Sequence, residues 1–95
     1  MSKNLNITAV YIKLGKSIKI NRLKCGLTLE QLAYEIGVQK SDIFSIEKGR
    51  NITTLTLIKI ATVLNIHLKD LFDFNYNVTL NDIDKIVQKK QRKRK

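Results

Sequence analysis

The sequence contains no proline and no tryptophan, and only four of its 95 residues are glycine. Because proline and glycine disfavour helices more strongly than other residues, their scarcity favours a chain composed of helices. A chain of this length can enclose one hydrophobic core of modest size. The composition therefore predicts a single all-α domain.

Residues that serve in catalysis or metal binding are also few. The single cysteine, Cys25, can form neither an intramolecular disulfide nor a cysteine-based metal site, and it suits a reducing compartment. The only histidine, His67, has no partners at metal-ligand spacing and is best explained as a turn residue. Ser/His/Asp and Cys/His sets, a phosphate-binding glycine loop and a catalytic carboxylate pair are all lacking. We therefore expect no enzyme activity, no metal site and no cofactor.

Long apolar runs are absent as well. No run approaches the roughly 20 residues that a membrane helix requires. Residues 1–15 lack the continuous apolar stretch of a signal peptide. These two absences predict a soluble, cytoplasmic protein that is not inserted in a membrane.

Acidic residues are outnumbered. Eighteen lysines and arginines face eight aspartates and glutamates, so the formal net charge is +10. Residues 75–95 and residues 1–74 each contribute +5, so both the tail and the remaining chain are basic. A surplus of this size implies a polyanionic partner, nucleic acid first and an anionic membrane surface second.

The apolar pattern divides the chain into three parts. Residues 1–7 carry little pattern and are expected to form a flexible N-terminus. Residues 8–74 contain five predicted helices. Residues 75–95 contain a sixth, amphipathic helix followed by a basic tail.

Capping signals and apolar spacing define the first three predicted helices. The first begins at Thr8 and ends near Gly26. The second begins after a capping box that starts at Thr28, and it ends at Gly37. The third covers about residues 40–48. Its inward-facing residues are Ile43 and Ile46.

Two threonines, Thr53 and Thr54, are candidate caps for a fourth helix. Its predicted buried face consists of Leu55, Ile58, Ala61 and Leu64. A short fifth helix follows. Its apolar residues are Leu68, Leu71 and Phe72.

The last part of the chain leaves alternatives open. The predicted sixth helix has an apolar face made of Leu80, Ile83, Ile86 and Val87. This face must be buried, either on the chain's own domain or against a second chain. Residues 89–95, KKQRKRK, form a solvated charge run, an arm along DNA phosphates or a contact for a membrane or another partner.

The most informative segment is residues 32–47. Gly37 follows Ala33 by four residues, Val38 comes directly after the glycine, and Ile43 follows Ala33 by ten. This spacing suits two short helices that cross steeply over a tight turn. Ala33 must be small where the helices approach, and Gly37 permits a turn conformation that a Cβ would resist. The outer face of the third predicted helix then consists of Lys40, Ser41, Phe44 and Ser45.

These residues carry a resemblance that extends from LGKSIKINRLKCGLTLEQLA through EIGVQKSDIFSIEKG to LTLIKIATVLNIHLKDLF. Over these segments the chain resembles the lambdoid repressor and Cro type of helix-turn-helix domain. The agreeing positions are Arg22, Gly26, Leu27, Thr28, Leu32, Ala33, Gly37, Val38, Ile43, Ile46, Glu47, Gly49, Ile60, Ala61, Leu64, Leu71 and Phe72. The resemblance implies a five-helix, repressor-like domain that binds double-stranded DNA.

The resemblance also implies roles for individual residues. The helix at about 40–48 is the expected recognition helix, which enters the major groove while the helix at 28–36 braces it. Lysine can donate to guanine O6 and N7, and a phenyl ring can cover a thymine methyl group. The implied base contacts are Gln39, Lys40, Ser41, Phe44 and Ser45. The implied phosphate contacts are Thr28, Arg50, Asn51 and Thr53.

One ion pair follows from the same resemblance. Arg22 and Glu47 are expected to form a partly buried pair that ties the first helix to the recognition helix. Such a pair fixes geometry more than it adds stability.

The implied function is sequence-specific transcriptional regulation. Because one recognition helix contacts too few base pairs for specificity, a homodimer on a palindromic operator is expected. Phage repressors and restriction–modification controllers are both of this type, and the sequence does not choose between them. The alternative is an antitoxin-type interaction protein that binds an acidic toxin and regulates its own operon.

Removal of residues 89–95 tests the basic tail. If these charges lie along phosphates, truncation weakens binding to every duplex by a similar factor. The slope of log affinity against log salt concentration becomes shallower by about 0.9 for each phosphate that the tail no longer neutralises. Titrations of full-length and truncated protein at several salt concentrations measure the slope. An unchanged slope would show that the tail does not bind along DNA.

Overall fold

The computed structural model describes residues 6–74, and this part of the chain forms five α-helices and no strand. The helices are α1 (Ile7–Lys24), α2 (Leu29–Ile36), α3 (Lys40–Glu47), α4 (Thr54–Leu64) and α5 (Leu68–Leu71). The predicted all-α class and five-helix domain are confirmed. The predicted sixth helix and the basic tail lie outside the described residues. None of the helices within residues 6–74 is long and apolar enough to cross a membrane.

Helix α1 begins one residue earlier than its sequence pattern suggested. The side chain of Asn6 accepts a hydrogen bond from the backbone N–H of Ala9 at 3.2 Å, so Asn6 is the N-cap and Ile7 is already helical. The predicted flexible segment at residues 1–7 therefore includes two residues that belong to the start of α1, and its other five lie outside the described residues. Asparagine is a favoured N-cap because its oxygen satisfies a free N–H group of the first turn.

The start of α2 and the turn between α2 and α3 both form as predicted. The hydroxyl of Thr28 accepts from the N–H of Gln31 at 3.0 Å, and the side chain of Gln31 accepts from the N–H of Thr28 at 2.8 Å. Gly37 ends α2 with a φ of 77°, which a residue with a Cβ rarely adopts. The N–H of Val38 donates to the carbonyl of Ala33 at 3.0 Å and closes the turn.

The predicted buried face of α4 is wrong in half of its positions. Leu55 and Ile58 are 62% and 46% exposed. The buried residues are Leu57, Ile60, Ala61 and Leu64. In the sequence TLTLIKIATVL, apolar residues recur at helical spacing on more than one face, so the pattern did not determine which face meets the core.

Each of the five helices contributes side chains to the hydrophobic core. One large aliphatic side chain from each of the five helices is completely or almost completely buried. These residues are Ile18, Leu32, Ile43, Ile60 and Leu71. Burial of a side chain of this size contributes roughly 1.5–3 kcal/mol. Even the four-residue helix α5 is therefore anchored by tertiary packing.

Helix α1 approaches the end of α3 closely enough to exclude a side chain. A Cβ built on Gly15 would lie 2.5 Å from the carbonyl oxygen of Ile46 and 2.7 Å from that of Glu47. These distances are too short for any side chain, because the obstructing atoms belong to the backbone. Gly15 is therefore required where α1 crosses α3.

The predicted ion pair joins the same two helices. Arg22 donates from Nε to Glu47 Oε2 at 2.7 Å and from Nη2 to Oε1 at 3.1 Å. Its Nη1 donates to the carbonyl of Leu27 at 2.8 Å. The two side chains are only 7% and 6% exposed. The structure therefore confirms the pairing of Arg22 with Glu47 and shows that it is buried.

Replacement of Arg22 by alanine should destabilise the fold far more than the same change at Arg50. Arg22→Ala leaves the Glu47 carboxylate buried without its partner, at a cost of about 3 kcal/mol or more. Arg50 pairs with Asp42 at the surface, where a pair contributes less than about 1 kcal/mol. The melting temperatures of the two variants should differ by roughly 10 °C. Equal melting temperatures would contradict a structural role for the buried pair.

Candidate nucleic-acid interface

The outer face of α3 presents the residues that were predicted to contact bases. Ile43 and Ile46 bury the opposite face of the helix in the core. Lys40, Ser41 and Phe44 are exposed, and Ser45 is half-buried. Gln39 is exposed at the N-cap position. The structure therefore brings all five candidates together at the start and on the outer surface of one rigid helix.

The first turn of α3 is held by Asp42, a residue to which the sequence analysis assigned no role. Its Oδ2 accepts from the backbone N–H of Gln39 at 2.9 Å, and its Oδ1 accepts from Arg50 Nη1 at 3.3 Å. The backbone hydrogen bond from Gln39 is the main cause that lowers the pKa of Asp42 below its usual value, and the hydrogen bond from Arg50 lowers it further. The carboxylate is therefore ionised at neutral pH. An acidic residue three positions after an N-cap is the sequence signal that indicates this role.

Arg50 lies in the segment between α3 and α4. Its backbone N–H donates to the carbonyl of Ser45 at 3.0 Å, and its side chain reaches back to Asp42. The side chain remains 49% exposed. Arg50 is thus positioned beside the start of α3 while its guanidinium stays accessible to an anion.

The other predicted phosphate contacts occupy two kinds of position. Thr28 and Thr53 are the N-caps of α2 and α4, and the hydroxyl of Thr53 accepts from the N–H of Thr56 at 3.2 Å. Asn51 is exposed in the same interhelical segment as Arg50. A helix N-terminus favours an anion because its first N–H groups and its dipole point outward. The arrangement is therefore compatible with phosphate binding at both helix starts.

Phe44 is the only aromatic residue of α3. The residue is 51% exposed, and the ammonium nitrogen of Lys48 lies 5.0 Å from the centroid of its ring. Lys48 follows Phe44 by one helical turn, so the two side chains lie on the same side of α3. A lysine at this distance makes a cation–π contact with the ring.

The described part of the chain contains no metal site. Within residues 6–74, no group of histidine, cysteine, aspartate and glutamate side chains is arranged to hold an ion.

Cys25 donates from its thiol to the carbonyl of Leu64 at 3.5 Å, a contact between the end of α1 and the end of α4.

Comparisons with known proteins agree with this geometry. The family model described as "Helix-turn-helix" matches residues 18–71, which is more than half of the chain. An uncharacterised HTH-type transcriptional regulator from Archaeoglobus fulgidus is 44% identical over 55 residues, which are 57% of this chain and 79% of the relative. The HTH-type transcriptional regulator SlrR from Bacillus subtilis is 37% identical over 62 residues. That match covers 63% of this chain but only 41% of SlrR.

Two solved structures are similar to the fold. The restriction–modification controller protein C.AhdI from Aeromonas hydrophila matches with a TM-score of 0.65 and 34% identity, over 67% of this chain and 98% of the controller. A hypothetical transcription factor from Neisseria, NHTF, matches with a TM-score of 0.63 over 76% of this chain and 82% of that one. At 20% identity, the second likeness supports the fold alone.

The matched residues contain all of α2, α3 and α4, together with the buried ion pair and the outer face of α3. The matched family and relatives are DNA-binding transcriptional regulators rather than enzymes. The chain therefore belongs to the helix-turn-helix family of the lambdoid repressor and Cro type, whose members bind DNA and regulate transcription.

Proposed function

We propose that this chain is a sequence-specific transcriptional regulator that binds a palindromic operator as a homodimer, with α3 in the major groove. The observation that carries the proposal is the division of α3 into two faces. One face is buried through Ile43 and Ile46, and the other presents donors and acceptors to solvent. An α-helix with this division fits the major groove, where the edges of all four base pairs can be distinguished.

The proposed base contacts follow from the chemistry of the exposed side chains. Lys40 donates to the O6 and N7 of guanine, and Gln39 can both donate and accept, as the edge of adenine requires. Ser41 and Ser45 can bond to several bases. Gln39, Lys40 and Ser41 stand at the N-terminal end of α3, the end that enters the groove in helix-turn-helix proteins.

The proposed phosphate contacts set the register of the protein on the duplex. Arg50 and Asn51 offer exposed side chains directly after α3, while Thr28 and Thr53 mark the starts of α2 and α4. Contacts of this kind orient the protein but do not distinguish sequences. The surplus of positive charge would strengthen binding to any duplex and make it dependent on salt.

The proposed dimer contact uses α4. Leu55 and Ile58 stand three residues apart on one exposed side of this helix. Exposed aliphatic side chains next to each other are typical of an interface between protein chains. A two-fold dimer presents two copies of α3, which solves the problem that one helix contacts too few base pairs.

The likeness to C.AhdI supports a regulator of the controller type. Two thirds of this chain match 98% of that controller, so nearly the whole of a restriction–modification controller is similar to the helix-turn-helix part of this chain. SlrR is longer, and this chain matches less than half of it. The names of these relatives describe regulators and a controller, and they do not support the antitoxin alternative.

Lys40→Ala tests the proposed base contacts. An operator is first selected from randomised duplexes with the wild-type protein. The variant should then lose preference at one or more guanine positions by roughly 1–3 kcal/mol, because alanine cannot donate to the base. Lys19→Ala removes the same charge from the exposed side of α1 and serves as the control. Titrations on the operator and its point mutants measure these preferences. A Lys40→Ala variant that retains the preferences of the parent, as the Lys19→Ala control should, would contradict the proposal.

Leu55→Glu tests the proposed dimer. Removal of this side chain from both protomers and its replacement by a charge should cost roughly 3 kcal/mol or more. That loss corresponds to a rise in the dimer Kd of about a hundredfold or more. Sedimentation at tens of micromolar protein measures the change.

The control for this experiment is Ile7→Glu at the start of α1. Ile7 and Leu55 are exposed to similar extents, 58% and 62%, so the two changes differ chiefly in location. The expected result is a dimer for the Ile7 variant and a monomer for the Leu55 variant. A wild-type protein that stays monomeric with and without operator would exclude the dimer.

A further inference from the structure

Phe44 places an aromatic ring in the middle of a surface that is otherwise polar. Phe44 is 51% exposed, and its neighbours on the outer face of α3 are Lys40, Ser41 and Ser45. The ring does not belong to the buried core, so the fold does not require a phenyl group here. An exposed ring at the centre of a binding surface calls for an apolar partner on the ligand.

The major groove of DNA contains few apolar groups. The edges of the bases present hydrogen-bond donors and acceptors, and the one apolar feature among them is the C5-methyl group of thymine. The same methyl group occurs on 5-methylcytosine. A phenyl ring on the helix that enters the groove therefore finds its apolar partner in a pyrimidine C5-methyl group.

Lys48 limits the positions that the ring can adopt. Its ammonium nitrogen lies 5.0 Å from the ring centroid, so a cation is held over one face of the phenyl group. This contact favours one orientation of the ring before DNA arrives. A ring that is already oriented loses less conformational freedom on binding.

From these observations we infer that Phe44 is a specificity-determining residue that packs against a pyrimidine C5-methyl group in each half-site, and that Lys48 positions its ring. This inference rests on the proposed function, since it requires α3 to lie in the major groove. It adds to that function the chemical group that the centre of the helix recognises.

Replacement of thymine by deoxyuridine tests the inference, because it removes the methyl group and leaves the hydrogen-bonding edge unchanged. Each thymine of the selected operator is replaced in turn. Wild-type protein should lose about fourfold in affinity at the contacted thymine of each half-site, the factor that corresponds to roughly 0.8 kcal/mol per buried methyl group. In a second arm, 5-methylcytosine replaces each cytosine, and a fourfold gain there would identify methylcytosine as the source of the methyl group.

The protein variants assign the effect to its residue. Phe44→Ala should bind the methylated and unmethylated duplexes equally well. Tyr34→Ala removes a more exposed aromatic residue, 85% exposed on α2, and should retain the full discrimination. Lys48→Met keeps the length of the side chain without its charge and should reduce the discrimination. Far-UV circular dichroism melts verify that each variant folds.

Three results would overturn the inference. Wild-type protein that is insensitive to the methyl group at every pyrimidine would exclude the contact, and so would a Phe44→Ala variant that still discriminates. Undiminished discrimination by Lys48→Met would exclude the positioning role of Lys48. Failure to enrich any operator from the randomised pool would instead overturn the proposed function, and the inference with it, so the two failures are distinguishable.

Discussion

The crossing of α1 over the end of α3 is the constraint on which the rest of the structure depends. Gly15 allows the two backbones to approach until no Cβ would fit, and Arg22 then binds Glu47 through two hydrogen bonds. Because both charged groups are buried, neither can exchange its partner for water without a large cost. The crossing therefore holds α3 in a single orientation, with its polar face outward.

Helix α4 has two different apolar surfaces. On one side of the helix, the residues buried in the core are Leu57, Ile60, Ala61 and Leu64. Leu55 and Ile58 remain exposed on another side. A helix that is apolar on more than one side can pack against its own domain and against a second chain at the same time. The same short helix therefore stabilises the domain through one side and supplies the contact of the proposed dimer through another.

The side chains on and beside the outer face of α3 are held in place by contacts at the surface rather than by burial. Asp42 joins the backbone of Gln39 to the side chain of Arg50, and Lys48 lies over the ring of Phe44. Each surface contact of this kind contributes little to the free energy of unfolding. Together they reduce the number of conformations that these side chains must give up when a ligand binds.

The sequence by itself determined the features that depend on neighbours along the chain. The capping box at Thr28, the left-handed turn at Gly37 and the extent of α3 were all predicted, because each follows from hydrogen bonds or backbone angles within a few residues. The pairing of Arg22 with Glu47, 25 residues apart, was predicted only through the resemblance to a known family. The base and phosphate contacts remain predictions of the same origin.

Only the tertiary structure decided the rest. The apolar pattern of α4 is consistent with more than one buried face, and the choice that leaves Leu55 exposed depends on where the other four helices lie. The requirement for Gly15 arises from the backbone of α3, which is distant along the chain. The partnership of Asp42 with Arg50 arises because the segment after α3 turns back toward its first turn. These features depend on groups brought together in space, and neither composition nor local spacing contains that information.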